Sequence, residues 1–260
     1  MREPGLERAI GAAGGVTSLS RLIGVSQPAV SGWKRVPPDR VLAVEAATGI
    51  PRTALRPDLF AEQELAIPDG LDEIDAARAD LYALLAHLLW HAPDAAMLHR
   101  LAAATDGAGA LGAARTGLAE AAATLDAAAI EREHFALFTG LGGGELMPYA
   151  SYYLTGFVHE RPLADVRTDL HRLGLVRTEG LSEPEDHLAF LCEVMAALIR
   201  GVCGTPDITE ERFFARHLQP WAGRCFADIE SAEAARFYRP AGQLGRLLID
   251  IEIQAFALST

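Results

Sequence analysis

The sequence predicts an all-α protein in which a small helical domain precedes a larger helical bundle. Half of its 260 residues are apolar, and alanine, the residue with the best intrinsic helix propensity, supplies much of that half. Glycine and proline divide the chain into segments whose apolar residues recur at helical spacing, and no alternating strand pattern of useful length competes with them. These observations favour helices throughout.

The distribution of charge predicts two modules. The net charge of −12 argues against the whole chain coating nucleic acid or an anionic membrane. Residues 1–60 nevertheless carry eight Lys or Arg against five acids, which leaves fifteen basic and thirty acidic residues for the rest. Such asymmetry indicates modules with different partners. We expect domains over residues 1–57 and 72–260, joined by a Pro- and acid-containing linker over residues 58–71.

Cysteine use and hydropathy predict a cytoplasmic protein without a membrane segment. The three cysteines form no CxxC pair, the start MREPGLERAI lacks a secretory apolar run, and the stretch from Leu81 to Trp90 is too short for a membrane span. His134, His159 and His171 have no metal-ligand spacing, so we expect no metal site.

The first module contains two short helices around a tight turn, in residues 17–34 (TSLSRLIGVSQPAVSGWK). Thr17 or Ser18 is expected to cap the first helix, whose inward positions are Leu19, Leu22 and Ile23. Gly24 suits the turn. The second helix is expected to start at Ser26, with Pro28 in its first turn and Val30 and Trp33 buried. This spacing is typical of a helix-turn-helix.

The same segment resembles the Cro/YdaS-like helix-turn-helix family over residues 5–57. The resemblance rests on GVSQPAVSGWK and on Pro37-Pro38 opening a helix through Thr48. The sequence departs from the family at Ser20, where a small apolar residue is usual, and a buried serine there can bond back to a helix carbonyl.

The resemblance implies DNA binding by the second helix. The residues expected to face base edges are Ser26, Gln27, Ala29 and Ser31, and those expected to bind phosphates are Lys34, Arg35 and Arg40. A net charge of +3 requires a homodimer reading two half-sites. The alternative is a protein-docking module that merely retains the shape.

The second module reads as successive helices of a bundle. Its first helix carries one apolar stripe, formed by Ala77, Leu81, Leu84, Leu85 and Leu88. Further helices are expected near 94–104, 112–127, 128–138, 162–173, 183–200, 209–230 and 232–256. Ser182 and Glu185 form a capping box that would place Asp186 and His187 in a first helical turn, ahead of a buried stripe of Leu188, Leu191, Met195 and Leu198.

Three motifs in the second module, taken in order, resemble the TorD/DmsD family of molybdoenzyme chaperones over residues 73–256. They are PYASYY at 148–153, EPEDHL at 183–188 and FFARHLQPW at 213–221. The resemblance implies an all-helical cytoplasmic chaperone that binds the twin-arginine signal peptide of a redox-enzyme precursor. It implies no cofactor of its own, because the molybdenum cofactor is inserted into the client. A formate dehydrogenase is one candidate client, although the sequence does not identify it.

The residues expected to bind the signal peptide are Tyr149, Ser151, Tyr152, Glu183, Glu185, Asp186 and His187. Carboxylates can bind the guanidinium pair bidentately, and tyrosines can line a groove for the apolar stretch that follows. Two plainer alternatives stay open: acids are favoured at a helix start by the dipole alone, and the tyrosines can be core. His217, Pro220 and Trp221 are expected to be structural.

An enzymatic function is not expected. Asp186 and His187 are adjacent, point about 100° apart on a helix, and have no nucleophile near them. The competing function is a DNA-binding transcriptional regulator whose helical C-terminal domain is a sensor rather than a chaperone.

Overall fold

The computed structural model describes residues 3–37, 40–50, 52–56, 71–104, 107–140, 144–175 and 183–258. It divides into two compact units, Met1–Ile67 and Pro68–Thr260. Each unit is helical and contains no strand within these ranges, which confirms the predicted all-α class. The predicted linker lies almost entirely outside the described residues, so its bounds stay a prediction. None of the described helices is long and apolar enough to cross a membrane.

The first unit is built from five short helices: α1 (Pro4–Ala12), α2 (Val16–Leu22), α3 (Gln27–Gly32), α4 (Val41–Thr48) and α5 (Arg52–Leu55). Its own small core includes Leu6, Leu19, Val30, Val44 and Leu55. The helix expected to open at Pro37-Pro38 begins at Val41 in the described residues, and Pro38 lies outside them.

The turn between α2 and α3 has the predicted chemistry. Gly24 adopts φ +67°, a left-handed conformation that glycine reaches without steric cost. Ser26 is the N-cap residue of α3, and Pro28 lies in the first turn, where its missing N–H has no helical partner to lose. The buried Ser20 hydroxyl donates to the Thr17 carbonyl at 2.9 Å, as its departure from the family pattern suggested.

Two details predicted for α2 are wrong. Thr17 and Ser18 lie inside the helix, whose N-cap is Gly15, and no side chain caps it. Leu22 is 58 % exposed rather than inward. The buried face of this segment is centred on Leu19 and Ser20, and Leu22 lies about 100° away from that centre at 100° per residue.

The second unit contains ten α-helices in the described residues. They are α6 (Glu73–Trp90), α7 (Ala95–Ala103), α8 (Gly109–Thr124), α9 (Ala127–His134), α10 (Ala150–Thr155), α11 (Arg161–Arg172), α12 (Leu188–Ile199), α13 (Glu210–His217), α14 (Ala222–Ser231) and α15 (Tyr238–Leu258). A π-helical turn, Phe135–Thr139, continues α9.

The core of the second unit forms where α6 packs along α12 and where α14 packs along α15. The crossing of α14 and α15 is close, since a Cβ atom added to Gly245 would lie 2.3 Å from the Phe226 ring. The predicted stripe of Leu188, Leu191, Met195 and Leu198 is buried in this core.

A buried carboxylate fixes the start of α15. Glu133 accepts backbone N–H groups from Arg236, Phe237 and Tyr238 at 2.8, 3.1 and 2.7 Å. The first N–H groups of a helix have no partner inside the helix, so a carboxylate from α9 supplies the acceptor that local sequence does not. The hydroxyl of Tyr238 then donates to the Leu88 carbonyl on α6 at 2.9 Å.

Several predicted helices have different bounds in the structure. The segment expected over 209–230 is two helices, because Pro220 has no N–H to continue the first one. The segment expected over 183–200 begins only at Leu188, and the last helix begins at Tyr238 rather than near 232.

The apolar stripe predicted on the first helix of this module is only half correct. Leu85 and Leu88 are buried, but Leu81 and Leu84 are partly buried and Ala77 is exposed. The buried face of α6 is instead centred on Tyr82, Leu85 and Leu89, and the other half of the stripe lines a cavity.

Candidate functional site

An antiparallel β-bridge between Tyr149 and His187 brings the first and second motifs of this unit together. The Ala150 N–H donates to the Asp186 carbonyl at 2.9 Å, and the Leu188 N–H donates to the Pro148 carbonyl at 2.8 Å. Both α10 and α12 begin at this bridge, so the tyrosine and the histidine are placed by backbone hydrogen bonds.

His187 lies at the centre of an aromatic cluster. Its ring stacks on Trp90 at 4.6 Å and 10°, and the Tyr149 ring meets it edge-on at 5.0 Å. Its Nδ1 accepts the Ala189 N–H at 3.1 Å, so the neutral ring carries its proton on Nε2. Burial, together with nearby His134, lowers the pKa of His187 to about 3. His187 is therefore a neutral donor at physiological pH.

The predicted capping arrangement is wrong in its register. The N-cap residue of α12 is His187, so Asp186 and His187 precede the first turn rather than lie within it. The bridge holds His187 in extended conformation and its N–H bonds the Pro184 carbonyl at 3.1 Å, which delays the helix to Leu188. Ser182 lies outside the described residues.

Asp186 and Ser151 are both fully buried beneath the cluster. The Oδ2 atom of Asp186 accepts the Ser151 N–H at 2.8 Å and the Ser151 hydroxyl at 2.6 Å. The same hydroxyl accepts the Glu160 N–H at 3.2 Å. In this structure the two residues therefore join α10 and α11 to the segment before α12 and do not face solvent.

The other four residues predicted to bind the peptide lie in separate contacts. The Tyr149 hydroxyl donates to the Glu183 carboxylate, and burial together with that carboxylate raises the pKa of Tyr149. Glu185 is buried and bound by both Nε and a terminal nitrogen of Arg167, at 2.9 and 2.8 Å. Tyr152 is exposed and meets the Tyr153 ring edge-on at 5.9 Å.

A cavity of about 440 Å³ opens beside the aromatic cluster. The end of α6 and the following loop supply Trp90, His91, Pro93 and Asp94 to its wall, and α9 with the π-helical turn supplies Ala127, Glu131, His134 and Phe135. Two of these lining residues are carboxylates, and none is Lys or Arg. The cavity thus combines an aromatic wall with acceptors for a cation.

Trp90, Asp94, Glu131 and Glu193 are the residues of this region that sequence reasoning missed. Burial raises the pKa of Glu193, and the neighbouring Trp90 and His91 partly offset that rise. Helical periodicity could not mark Trp90, which ends an apolar stretch, as a wall of the site. The LWHAPD run that closes α6 was the available clue, since Trp and His both offer a polar edge there.

The buried residues of the third motif, among them His217 and Trp221, are structural in this fold. His217 Nε2 lies 2.8 Å from the Asp169 carboxylate, and Trp221 donates its indole N–H to the His217 carbonyl at 2.6 Å. Tyr153 packs on the Trp221 ring at 5.3 Å and donates to Asp228 at 2.7 Å. These contacts hold α13 against α11 and α14 against α10.

In the first unit, the residues expected to contact DNA share one property, which is that all are exposed: Ser26, Gln27, Ala29, Ser31, Lys34, Arg35 and Arg40. The first four lie on or at the start of α3, and Lys34 and Arg35 follow it directly. The Nε atom of Arg35 lies 3.8 Å from the carboxylate of Glu3, the N-cap residue of α1.

The two units thus define a class of protein: a small helix-turn-helix domain and an all-helical domain with an acidic, aromatic-walled cavity. Two family models match the chain. The one described as Nitrate reductase delta subunit, which represents the TorD family, matches residues 105–227, and the one described as Bacterial toxin YdaS matches residues 6–64. The second unit is thus similar to the TorD family and the first unit to the Cro-like helix-turn-helix family, as both resemblances implied.

Two individual proteins are also similar. The Chaperone protein TorD of Shewanella loihica is 23 % identical over 134 residues, which are 47 % of this chain and 60 % of that protein. The chain thus spans about 60 % of the length of this curated relative. A solved structure from Archaeoglobus fulgidus, described as a redox enzyme maturation protein, is 19 % identical with a TM-score of 0.44, and the match covers 66 % of this chain and 93 % of that one.

Proposed function

We propose that the chain is a cytoplasmic redox-enzyme maturation chaperone whose second unit binds the twin-arginine signal peptide of a molybdoenzyme precursor. The observation that carries this proposal is the cavity beside the cluster of Trp90, His187 and Tyr149, and the family model that the second unit matches supports it. The protein itself holds no cofactor in this proposal; it serves insertion of the molybdenum cofactor into its client.

The chemistry of the cavity suits an arginine pair. Guanidinium groups bind carboxylates bidentately and stack on aromatic faces, and Glu131 and Trp90 offer both kinds of partner on one wall. Lys and Arg are absent from the described lining, so no basic side chain there repels a cationic peptide. Because His187 stays neutral, it adds a hydrogen-bond donor without adding repulsion.

The seven predicted peptide-binding residues take different parts in this proposal. Tyr149 and His187 belong to the aromatic cluster, Glu183 accepts the Tyr149 hydroxyl, and all three are proposed to contact the peptide. Ser151 and Asp186 are proposed to position these three residues, since both are buried. Glu185 is proposed to fix the segment through Arg167, and Tyr152 to meet the peptide beyond its arginines.

The test is calorimetric titration of the full chain with signal peptides of candidate clients, each compared with a version in which both arginines are lysine. We expect the lysine version to bind at least tenfold more weakly, because an ammonium cannot reproduce bidentate contacts. Glu131→Gln should weaken binding of the arginine peptide, while Glu120→Gln, an exposed glutamate on α8, should not. Absence of binding to every client peptide of the same genome would refute the proposal.

We propose in addition that the first unit binds DNA. Exposure of α3 and of the three cations that follow it supports this, as does the family match of that unit. Gln27→Ala should change sequence preference on a fragment upstream of the chain's own operon. Lys34→Ala should instead weaken binding on all sequences and reduce its salt dependence.

The regulator alternative differs from the chaperone in one observable. A sensor domain changes DNA affinity when its ligand binds, because ligand and DNA must then favour the same state. If the signal peptide binds but leaves retardation of the DNA fragment unchanged, the chaperone function stands alone. If the chain binds no DNA at low salt, the helix-turn-helix is a docking module.

A further inference from the structure

The second unit contains a larger cavity that the proposed function does not use. It has a volume of about 710 Å³ and lies between α6, α7, α8 and α15. Thirteen of its eighteen lining residues are Leu, Ile or Ala, and the size is that of small-molecule sites in proteins.

This cavity is separate from the one beside Trp90. Leu81 lines the larger cavity and Trp90 lines the smaller one, nine residues further along α6. Nine residues are about two and a half helical turns, so the two side chains leave α6 on opposite faces. A ligand in one cavity therefore does not extend into the other along this helix.

The walls expose apolar surface that the fold leaves uncovered. Ile74 is 71 % exposed and Ile251 is 42 % exposed, while Leu81, Leu84 and Leu111 are only partly buried. Apolar residues exposed together, rather than singly, mark binding sites in soluble proteins. The half of the predicted α6 stripe that is not fully buried, Ala77, Leu81 and Leu84, lines this cavity.

At the acidic end of the cavity, the cation Arg78 is already engaged by several carboxylates. Arg78 binds the buried Glu252 through two nitrogens at 2.7 Å and also meets Asp75 and Glu210. Asp80 binds Arg200 at 2.6 Å. An anion placed at this end would face an excess of carboxylates.

Arg115 on α8 is the remaining cation on the wall. It is exposed, and in the described part of the chain no carboxylate or carbonyl pairs with it. Its neighbour Gly117 packs against Pro240 near the start of α15, whereas Arg78 binds Glu252 near the end of that helix. Those two positions on α15 are about 18 Å apart at 1.5 Å per residue. An anion-binding group thus lies at one end of a long apolar wall.

We propose that this cavity binds an amphipathic anion with a single unbranched acyl chain. The headgroup pairs with Arg115, and the chain lies along α15 against the leucines of α6 and α8. A carboxylate and a phosphate headgroup share this chemistry, so a free fatty acid and a single-chain phospholipid are the two sources to distinguish.

The test is calorimetric titration of the full chain with alkyl carboxylates of eight, ten and twelve carbons, kept below their micelle concentrations. Affinity should rise about fourfold per added methylene, which is the effect of burying one such group. Dodecanol and dodecyltrimethylammonium should bind at least tenfold more weakly than dodecanoate. Dodecyl phosphate binding more tightly than dodecanoate would identify the phospholipid source, and the reverse would identify the fatty acid.

Two variants locate the ligand. Arg115→Gln should weaken dodecanoate about tenfold without changing dodecanol binding, since a charge-assisted hydrogen bond is lost, and Arg132→Gln on α9 is the matched control. Ala77→Trp fills the cavity from an exposed position and should abolish binding, while twin-arginine peptide affinity stays unchanged.

Three results would overturn this proposal. They are an affinity that does not depend on the length of the alkyl chain, dodecanoate binding by Ala77→Trp equal to that of the unaltered chain, and a dimer that binds dodecanoate only after dilution dissociates it. The last result would show that a second copy covers the cavity. None of them bears on peptide binding at the other face of α6.

Discussion

Replacing Asp186 by alanine separates a positioning role from direct ligand contact. The carboxylate is fully buried and accepts two hydrogen bonds from Ser151, at 2.8 and 2.6 Å. Each bond to a charged acceptor contributes about 1.5–3 kcal/mol, and both Ser151 donors stay buried after the replacement. We expect the free energy of unfolding of the second unit to fall by about 3 kcal/mol. For a domain of this size the midpoint of thermal unfolding should fall by about 6–12 °C.

The assay is urea and thermal unfolding of the full chain followed by circular dichroism, alongside calorimetric titration with the twin-arginine peptide. Asp207→Ala is the control, because Asp207 is exposed in the loop before α13 and should change stability by less than about 0.5 kcal/mol. If Asp186→Ala leaves stability unchanged and abolishes peptide binding, the carboxylate contacts the peptide and the positioning argument is wrong.

Three further predictions concern stability. Folding lowers the pKa of His187 to about 3, so its contribution to the free energy of unfolding should be fully present above pH 6.5 and be lost as the pH falls from 6.5 towards 3. In His187→Gln the melting temperature should therefore depend less on pH, whereas replacement of the exposed His99 should not change that dependence. Glu133→Ala should lower the free energy of unfolding by about 3–5 kcal/mol in urea, since three backbone N–H groups at the start of α15 lose their acceptor; a loss below about 1 kcal/mol would show that water replaces it. Gly245→Val should lower the melting temperature strongly, because the Phe226 ring occupies the space of the new side chain; unchanged melting would mean that α14 shifts freely.

The helical class and the helix-turn-helix were predictable because both depend on local chemistry. Alanine content, apolar spacing and the Gly24 turn act within a few residues of one another, and each appears in the structure as expected. The wrong assignments arose where residues distant in sequence determine which face of a helix is buried. Leu22 and Ala77 have helical spacing that suits a core, but which face of a helix is covered depends on the neighbours that pack against it.

The site could be predicted only as a set of residues. The sequence indicated Tyr149 and His187, but the bridge between them and the stack on Trp90 depend on segments 38 and 97 residues apart. The sequence likewise could not show that Asp186 turns inward to Ser151 or that Glu185 is bound by Arg167. Periodicity reports the exposure of a helix face, and residues 183–187 precede the helix.

The backbone bridge at Tyr149 and His187 has a consequence for how specificity can change over time. The two hydrogen bonds that form it use main-chain atoms of Pro148, Ala150, Asp186 and Leu188, so they do not depend on which side chains project from the bridge. Side chains around the bridge can then be exchanged while the backbone beneath them keeps its shape. Under the proposed function, single substitutions around the bridge can change which peptide is bound without loss of the fold.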